Sequence, residues 1–334
     1  MMENYLPKEK KIYYGVDLLK LLCAILIVYM HTYNNDWGII GGWIKNALAT
    51  ACVPYFFIAS GFFFRKGIDR HSSDSIGCYS YTKSYLLRLV KMYVAWSFVT
   101  IPISILIIQN SHPDYSFFMK ALYELRLFFL TGSIGIYWYL LALILSVSVI
   151  VVAFMNNKMI HLGVLATFLF LLGCLYNSPF NHGERIYDII HVVFGSERNF
   201  LNVGLFYVMI GFTWPSMDNL YFKNAFILLF IALVIRTCEI YLLRTNFTQC
   251  LVAMGAFLFS INCRFSIIAP ISLAMRKLSL GIYLIHFPFI LLFDFFLTKG
   301  TILDFLVTLL FAVVTSLFLR VIMNPRQLSV FFGD

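Results

Sequence analysis

Charge is scarce in this sequence of 334 residues: aspartate, glutamate, lysine and arginine together make up 12% of it, about half of the roughly 25% usual for a soluble domain. With 61% hydrophobic residues and a mean hydropathy of +0.84, a water-soluble globule is excluded and a polytopic membrane protein is implied. Cysteine occurs seven times but never as CxxC or CxxCH, so neither a metal site nor a disulfide framework is indicated. Most of the cysteines stand in apolar runs, where the thiol packs as a small hydrophobe. Walker and Rossmann glycine patterns are absent, which argues against nucleotide hydrolysis and dinucleotide redox chemistry. No small-residue cleavage site follows the first apolar segment, so that segment is expected to stay as a span. Neither an internal repeat nor a soluble domain is visible.

What is present is a series of apolar runs near the length that crosses a bilayer, about 20 residues. Ten are expected, at 13–33, 44–64, 82–108, 134–155, 159–176, 199–215, 222–243, 249–263, 279–298 and 301–323. They make an all-α transmembrane domain over 13–323, between an N-terminal tail at 1–12 and a C-terminal tail at 324–334. With the N-terminus inside, the inner segments hold 16 of the 25 basic residues and the outer segments seven, so both ends are expected in the cytoplasm. A basic skirt facing anionic lipid also accounts for the net charge of +9, with no need for a nucleic-acid partner. The loops at 109–133 and 177–198 are expected at the outer interface, the first with an amphipathic helix over 115–130.

Ionisable residues inside spans are costly and usually face a protein interior or a wet cavity. In "GVDLLKLLCAILIVYMHTY" Asp17, Lys20, Ala24, Ile27 and His31 step by three and four and share one helix face. Asp17 and Lys20 are placed to neutralise each other. Lys20 and His31, eleven residues apart, span roughly 16 Å. Of seven histidines, only His31 and His286 lie well inside expected spans. If the ninth span starts at Ser279, His286 sits in the inner leaflet and His31 in the outer, and the two do not meet. Arg236 and Glu239, spaced i to i+3, match His31 better in depth. They are either a mutually neutralised pair or an acceptor-binding pair, which Arg198 could join.

Four further stretches carry a pattern. "VPYFFIASGFFFRKG" ends the second span with Ser60 and Gly61, small residues that allow close helix approach. "SYLLRLVKMY" sets Arg88 and Lys91 one turn apart, "IGIYWYLLALIL" opens the fourth span around Trp138, and "LSLGIYLIHFP" holds Tyr283 and His286. Together with the first helix these stretches resemble the membrane-bound acyltransferase family 3, over nearly the whole chain. The family's first-helix arginine is replaced here by Lys20, while its histidine, ten residues further on, is matched by His31. Its basic pair on the third helix falls on Arg88 and Lys91.

The resemblance implies transfer of an acyl group, often acetyl, from cytoplasmic acyl-CoA to an acceptor such as a cell-surface glycan, in a bacterial cytoplasmic membrane. It makes His31 the catalytic residue, with Lys20 and Asp17 beside it in the motif. Arg88 and Lys91 would hold the coenzyme A phosphates, with Arg276 and Lys277 as second choice. Acyl transfer needs a base near neutral pKa, which histidine supplies. It also needs a fixed oxyanion donor, for which Tyr283, His286, Ser60 and Trp138 are the suitable types. Trp138, Arg198, Arg236 and Glu239 are the candidates for the acceptor side. A homodimer is an allowed assembly. "SERNFLNVGLFYVMIG" and the lysine form of the first-helix motif also resemble the membrane half of the serine racemases of vancomycin-resistant bacteria. That similarity implies instead a carrier of a small polar molecule such as L-serine.

Overall fold

The computed structural model describes residues 12–71, 75–176, 199–263, 268–294 and 296–333, and every regular element among them is helical. Among the described residues seven helices are long and apolar enough to cross a membrane: Tyr14–Thr32, Asn35–Arg70, Ile76–Ser111, Trp138–Met155, Phe222–Leu243, Ala269–Phe293 and Ile302–Ile322. Three shorter apolar helices, Met159–Leu175, Phe200–Thr213 and Gln249–Asn262, stand at the remaining expected positions. In chain order we label α1 Tyr14–Thr32, α2 Gly38–Trp43, α3 Cys52–His71, α4 Ser75–Ser111, α5 Phe117–Leu130, α6 Trp138–Met155 and α7 Met159–Tyr176. Then follow α8 Leu205–Thr213, α9 Phe222–Cys238, α10 Gln249–Asn262, α11 Ala269–Phe293, α12 Ile302–Ile322 and α13 Pro325–Phe331.

Three boundaries depart from the sequence reading. The second span runs back to residue 35 through short 3-10 and π turns before α3. At 37 residues, α4 is roughly 55 Å long, well beyond the roughly 30 Å of a hydrocarbon core. The helix thus has more length than one crossing needs, and its first turns are its polar ones. The largest correction concerns the ninth span, which begins at Ala269 rather than Ser279. Arg276 and Lys277 look like a membrane boundary in sequence. In the fold Arg276, itself exposed, is neutralised by a buried carboxylate: its Nε and Nη2 each donate to Asp17 at 2.8 Å, and the Ser272 hydroxyl donates to the same carboxylate at 2.5 Å.

That contact also corrects the expected pairing of Asp17 with Lys20. Asp17 is buried and committed to α11, while the Lys20 ammonium lies 5.1 Å over the Phe63 ring. It fixes the register of α1 and α11 as well. Asp17 to His31 and Ser272 to His286 are both steps of 14 residues, so two parallel helices joined at the first pair meet again at the second, about 21 Å along. Ala24 and Val28 pack on Ile282 between them.

The small pair on α3 works as its composition suggests. A Cβ at Gly61 would strike the Val208 carbonyl, and one at Gly211 the Ile58 carbonyl, so α3 and α8 cross backbone to backbone. Gly61→Ala is expected to destabilise the bundle by about 1–3 kcal/mol through overpacking. A lowered melting temperature in detergent checks this, and an unchanged one would refute the close crossing. Outside the spans, Ser116 caps α5, and the Tyr93 hydroxyl ties it to α4 by donating to the Phe128 carbonyl at 2.5 Å. This is the helix anticipated over 115–130. The loop at 177–198 lies outside the described residues.

Candidate active site

Near the far end of α1 from Asp17 the helices enclose a cavity of about 320 Å³, at the small end of the range for ligand sites. Its wall includes His31, Trp138 and Tyr283, joined by Thr50, Pro54, Asn202, Tyr207, Asn246 and Gln249. His31 comes from α1, Trp138 from the first turn of α6 and Tyr283 from α11. His31 is half-buried, and its ring lies 5.4 Å from that of His286, centroid to centroid, so the expected separation in depth does not hold. The reason is the ten extra residues at the start of α11. Each histidine lies 17 residues beyond the first residue of its helix.

His286 is fully buried, and its Nδ1 lies 2.9 Å from the Tyr283 carbonyl and 3.0 Å from that of Ile282. Both partners are acceptors, so Nδ1 carries the proton and Nε2 carries the lone pair. Nε2 has no hydrogen-bond partner among the described residues. His286 is thus an acceptor beside His31 and does not supply a neutral-state donor. Tyr283 likewise gives its hydroxyl proton to the Ile136 carbonyl. Ser60 does not line the cavity; its hydroxyl lies 3.1 Å from that of Tyr139. Of the four candidate oxyanion donors, Trp138 remains. It lines the cavity, and its indole N–H has no hydrogen-bond partner among the described residues.

Two prolines help to build the wall. Proline has no N–H to offer the carbonyl four residues back, so a helix that contains one must satisfy that carbonyl from outside. In α11, Pro288 frees the Leu284 carbonyl, and the Tyr137 hydroxyl donates to it at 3.2 Å. This holds the start of α6 against the His286 segment. Pro54 frees the Thr50 carbonyl, which accepts from Nε2 of Gln249 and ties α10 to the entry of α3.

The remaining expected site residues lie elsewhere. Asp17 and Lys20 do not line the cavity, being roughly 21 and 16 Å down α1 from His31. Arg88 and Lys91 are exposed on α4, with the Arg88 guanidinium 5.3 Å from the Tyr85 ring. Arg236 and Glu239 form a buried ion pair at 2.7 Å that also stays out of the cavity wall. Arg236 donates besides to the Asn46 and Thr245 carbonyls and to Oδ1 of Asn246. Glu239 accepts from the Thr245 and Thr248 hydroxyls and from the backbone N–H of Phe247 and Thr248. The pair holds the turn at 244–248, in which Arg244 is left-handed at φ 53°, and so presents Asn246 to the cavity. Arg198 lies outside the described residues.

Sequence reasoning missed Thr50, Asn202, Tyr207, Asn246 and Gln249. A signal did exist: carboxamides within or beside apolar runs, as in "FLNVGLFY" and "TNFTQC", are as anomalous there as the histidines. Among the described residues no group of three or more His, Cys, Asp or Glu is placed to hold a metal ion.

Neither the curated proteins nor the solved structures include a match to this chain. One family model does match, that of acyltransferase family 3, described as an acyltransferase domain, and it covers residues 13–321. With almost the whole membrane bundle inside that match, the chain belongs to the membrane-bound acyltransferase family 3.

Proposed function

We propose that this protein moves an acyl group, acetyl by preference, from acyl-CoA at the cytoplasmic face of a bacterial membrane to a hydroxyl of an extracytoplasmic or lipid-linked acceptor such as a cell-surface glycan. In this reading all ten apolar helices span, and the end bearing Arg88, Arg276 and Lys277 faces the cytoplasm, as the basic-residue bias favours. The observation that carries the reading is the histidine pair: His31 on the cavity wall, with the ring of His286, whose Nε2 is unpartnered among the described residues, 5.4 Å from its own.

His31 is the base. As the acceptor oxygen bonds to the thioester carbonyl carbon, its proton passes to His31. When the carbon–sulfur bond breaks, the coenzyme A thiolate takes that proton and His31 returns to neutral. The neighbouring His286 ring, protonated at Nδ1 and with its Nε2 lone pair unused, adds no positive charge beside the imidazolium. The Trp138 indole N–H is the donor for the developing oxyanion. Arg88 and Lys91 attract the donor's phosphates. Two sets of rings pack in this part of the bundle: Tyr85 with Phe64 at 4.7 Å, and Tyr139 with Phe57 at 4.6 Å and with Tyr283 at 5.5 Å. Asp17 acts here as a helix clamp, and Lys20 as a nearby positive charge.

Replacing Arg88 and Lys91 together by glutamine tests the donor side. Charge-assisted hydrogen bonds contribute about 1.5–3 kcal/mol each, so the donor KM should rise roughly tenfold or more. The acceptor KM should stay near its original value. An equal rise in both would assign the two residues to folding instead.

A further inference from the structure

Besides His31 and Trp138, and besides Thr50 and Tyr283, whose hydroxyls donate to the Asn46 and Ile136 carbonyls, the cavity wall carries four polar side chains: Asn202, Tyr207, Asn246 and Gln249. Asn202 is 5% exposed and Tyr207 1%. Nevertheless, neither the Asn202 carboxamide nor the Tyr207 hydroxyl has a hydrogen-bond partner among the described residues. Neither polar end is fully occluded, so each opens onto the cavity, where water or a ligand is what can pair it. Two such groups on one cavity wall point to a partner that enters the cavity.

The other two side chains are held in known orientations. Nη2 of Arg236 donates to Oδ1 of Asn246 at 2.8 Å, which leaves the Asn246 amide N–H groups to donate. Nε2 of Gln249 donates to the Thr50 carbonyl, which leaves its Oε1 to accept. The wall therefore offers a fixed donor and a fixed acceptor, with Asn202 and Tyr207 able to do both. A ligand hydroxyl, which also donates and accepts, is the complementary group. No aspartate, glutamate, lysine or arginine lines the cavity. A carboxylate or ammonium entering it would lose hydration and meet no opposite charge.

We infer that Asn202, Tyr207, Asn246 and Gln249 form a selectivity subsite that admits an uncharged, hydroxyl-rich acceptor of sugar type and rejects zwitterions and acidic sugars. Its part in catalysis rests on the acyl-transfer reading; its binding preference does not.

The test measures binding to the purified full chain without acyl-CoA, by equilibrium dialysis and thermal shift. The probes are methyl glucoside, methyl glucuronide, which adds one carboxylate to the same ring, and L-serine. Methyl glucoside should bind and raise the melting temperature, and the other two should bind at least about tenfold more weakly. Tyr207→Phe and, separately, Asn202→Leu should weaken glucoside binding by about tenfold, the loss of one or two hydrogen bonds. Both should keep the ligand-free melting temperature, since neither group bonds within the fold. Should Asn202→Leu fail to fold, Tyr207→Phe carries the test, because it removes a single oxygen.

Equal or tighter binding of the glucuronide or serine, no binding of the glucoside, or glucoside binding untouched by Tyr207→Phe would each overturn the subsite. The two readings fail separately. Selective glucoside binding in a protein that never consumes acyl-CoA would refute acyl transfer and leave the subsite standing. Acyl transfer with no neutral-sugar preference would do the reverse.

Discussion

His31→Gln is expected to lower turnover by roughly two to four powers of ten, the usual contribution of a positioned general base, while the protein keeps its fold. Glutamine preserves much of the side-chain length and a hydrogen-bonding head, but it cannot take a proton at neutral pH. The fold should survive because His31 is half-buried at a cavity wall, and the register of α1 is set elsewhere by Asp17, Ser272 and Arg276. Melting temperature and turnover per folded molecule, measured on one preparation, separate the possibilities. A lowered melting temperature with specific activity intact would make His31 a structural residue.

The second large effect belongs to stability. Arg236 and Glu239 are both almost wholly buried, and between them they bond to Asn46, Thr245, Asn246, Phe247 and Thr248. Removing one partner of a buried pair leaves the other charge uncompensated, at a cost of about 3–5 kcal/mol. Either Arg236→Ala or Glu239→Ala should therefore sharply reduce the yield of folded protein and its melting temperature. The double change Arg236→Ala with Glu239→Ala should cost less than the two single changes added together, because no charge is stranded. Additive losses in that cycle would mean that the pair has no mutual role. Lys20→Ala, by contrast, does not strand Asp17, whose partner is Arg276.

The helical class, the positions of the apolar runs and the close crossing at Gly61 were legible in the sequence, because each depends on local composition. The histidines were legible as anomalies, but their meeting was not. It depends on where α11 begins, and the pair Arg276–Lys277 resembles a membrane boundary until Asp17 is known to reach it. The pairing of Asp17 went astray for the same reason: the nearer lysine on its own helix is visible in sequence, and the arginine 259 residues away is not. For Arg236 and Glu239 the spacing left two uses open, and the contacts give the neutralised pair. The carboxamides were passed over because their partners, Arg236 and the carbonyl freed by Pro54, become neighbours only in the folded bundle.

The most direct measurement of the central claim, that an acyl group leaves coenzyme A at the His31 cavity, uses purified protein in sealed vesicles supplied with labelled acetyl-CoA or, separately, labelled L-serine. The account predicts that label leaves acetyl-CoA, by transfer to an acceptor or by hydrolysis, that this loss disappears in His31→Gln vesicles, and that serine is not taken up. Saturable serine uptake with acetyl-CoA left intact would contradict it.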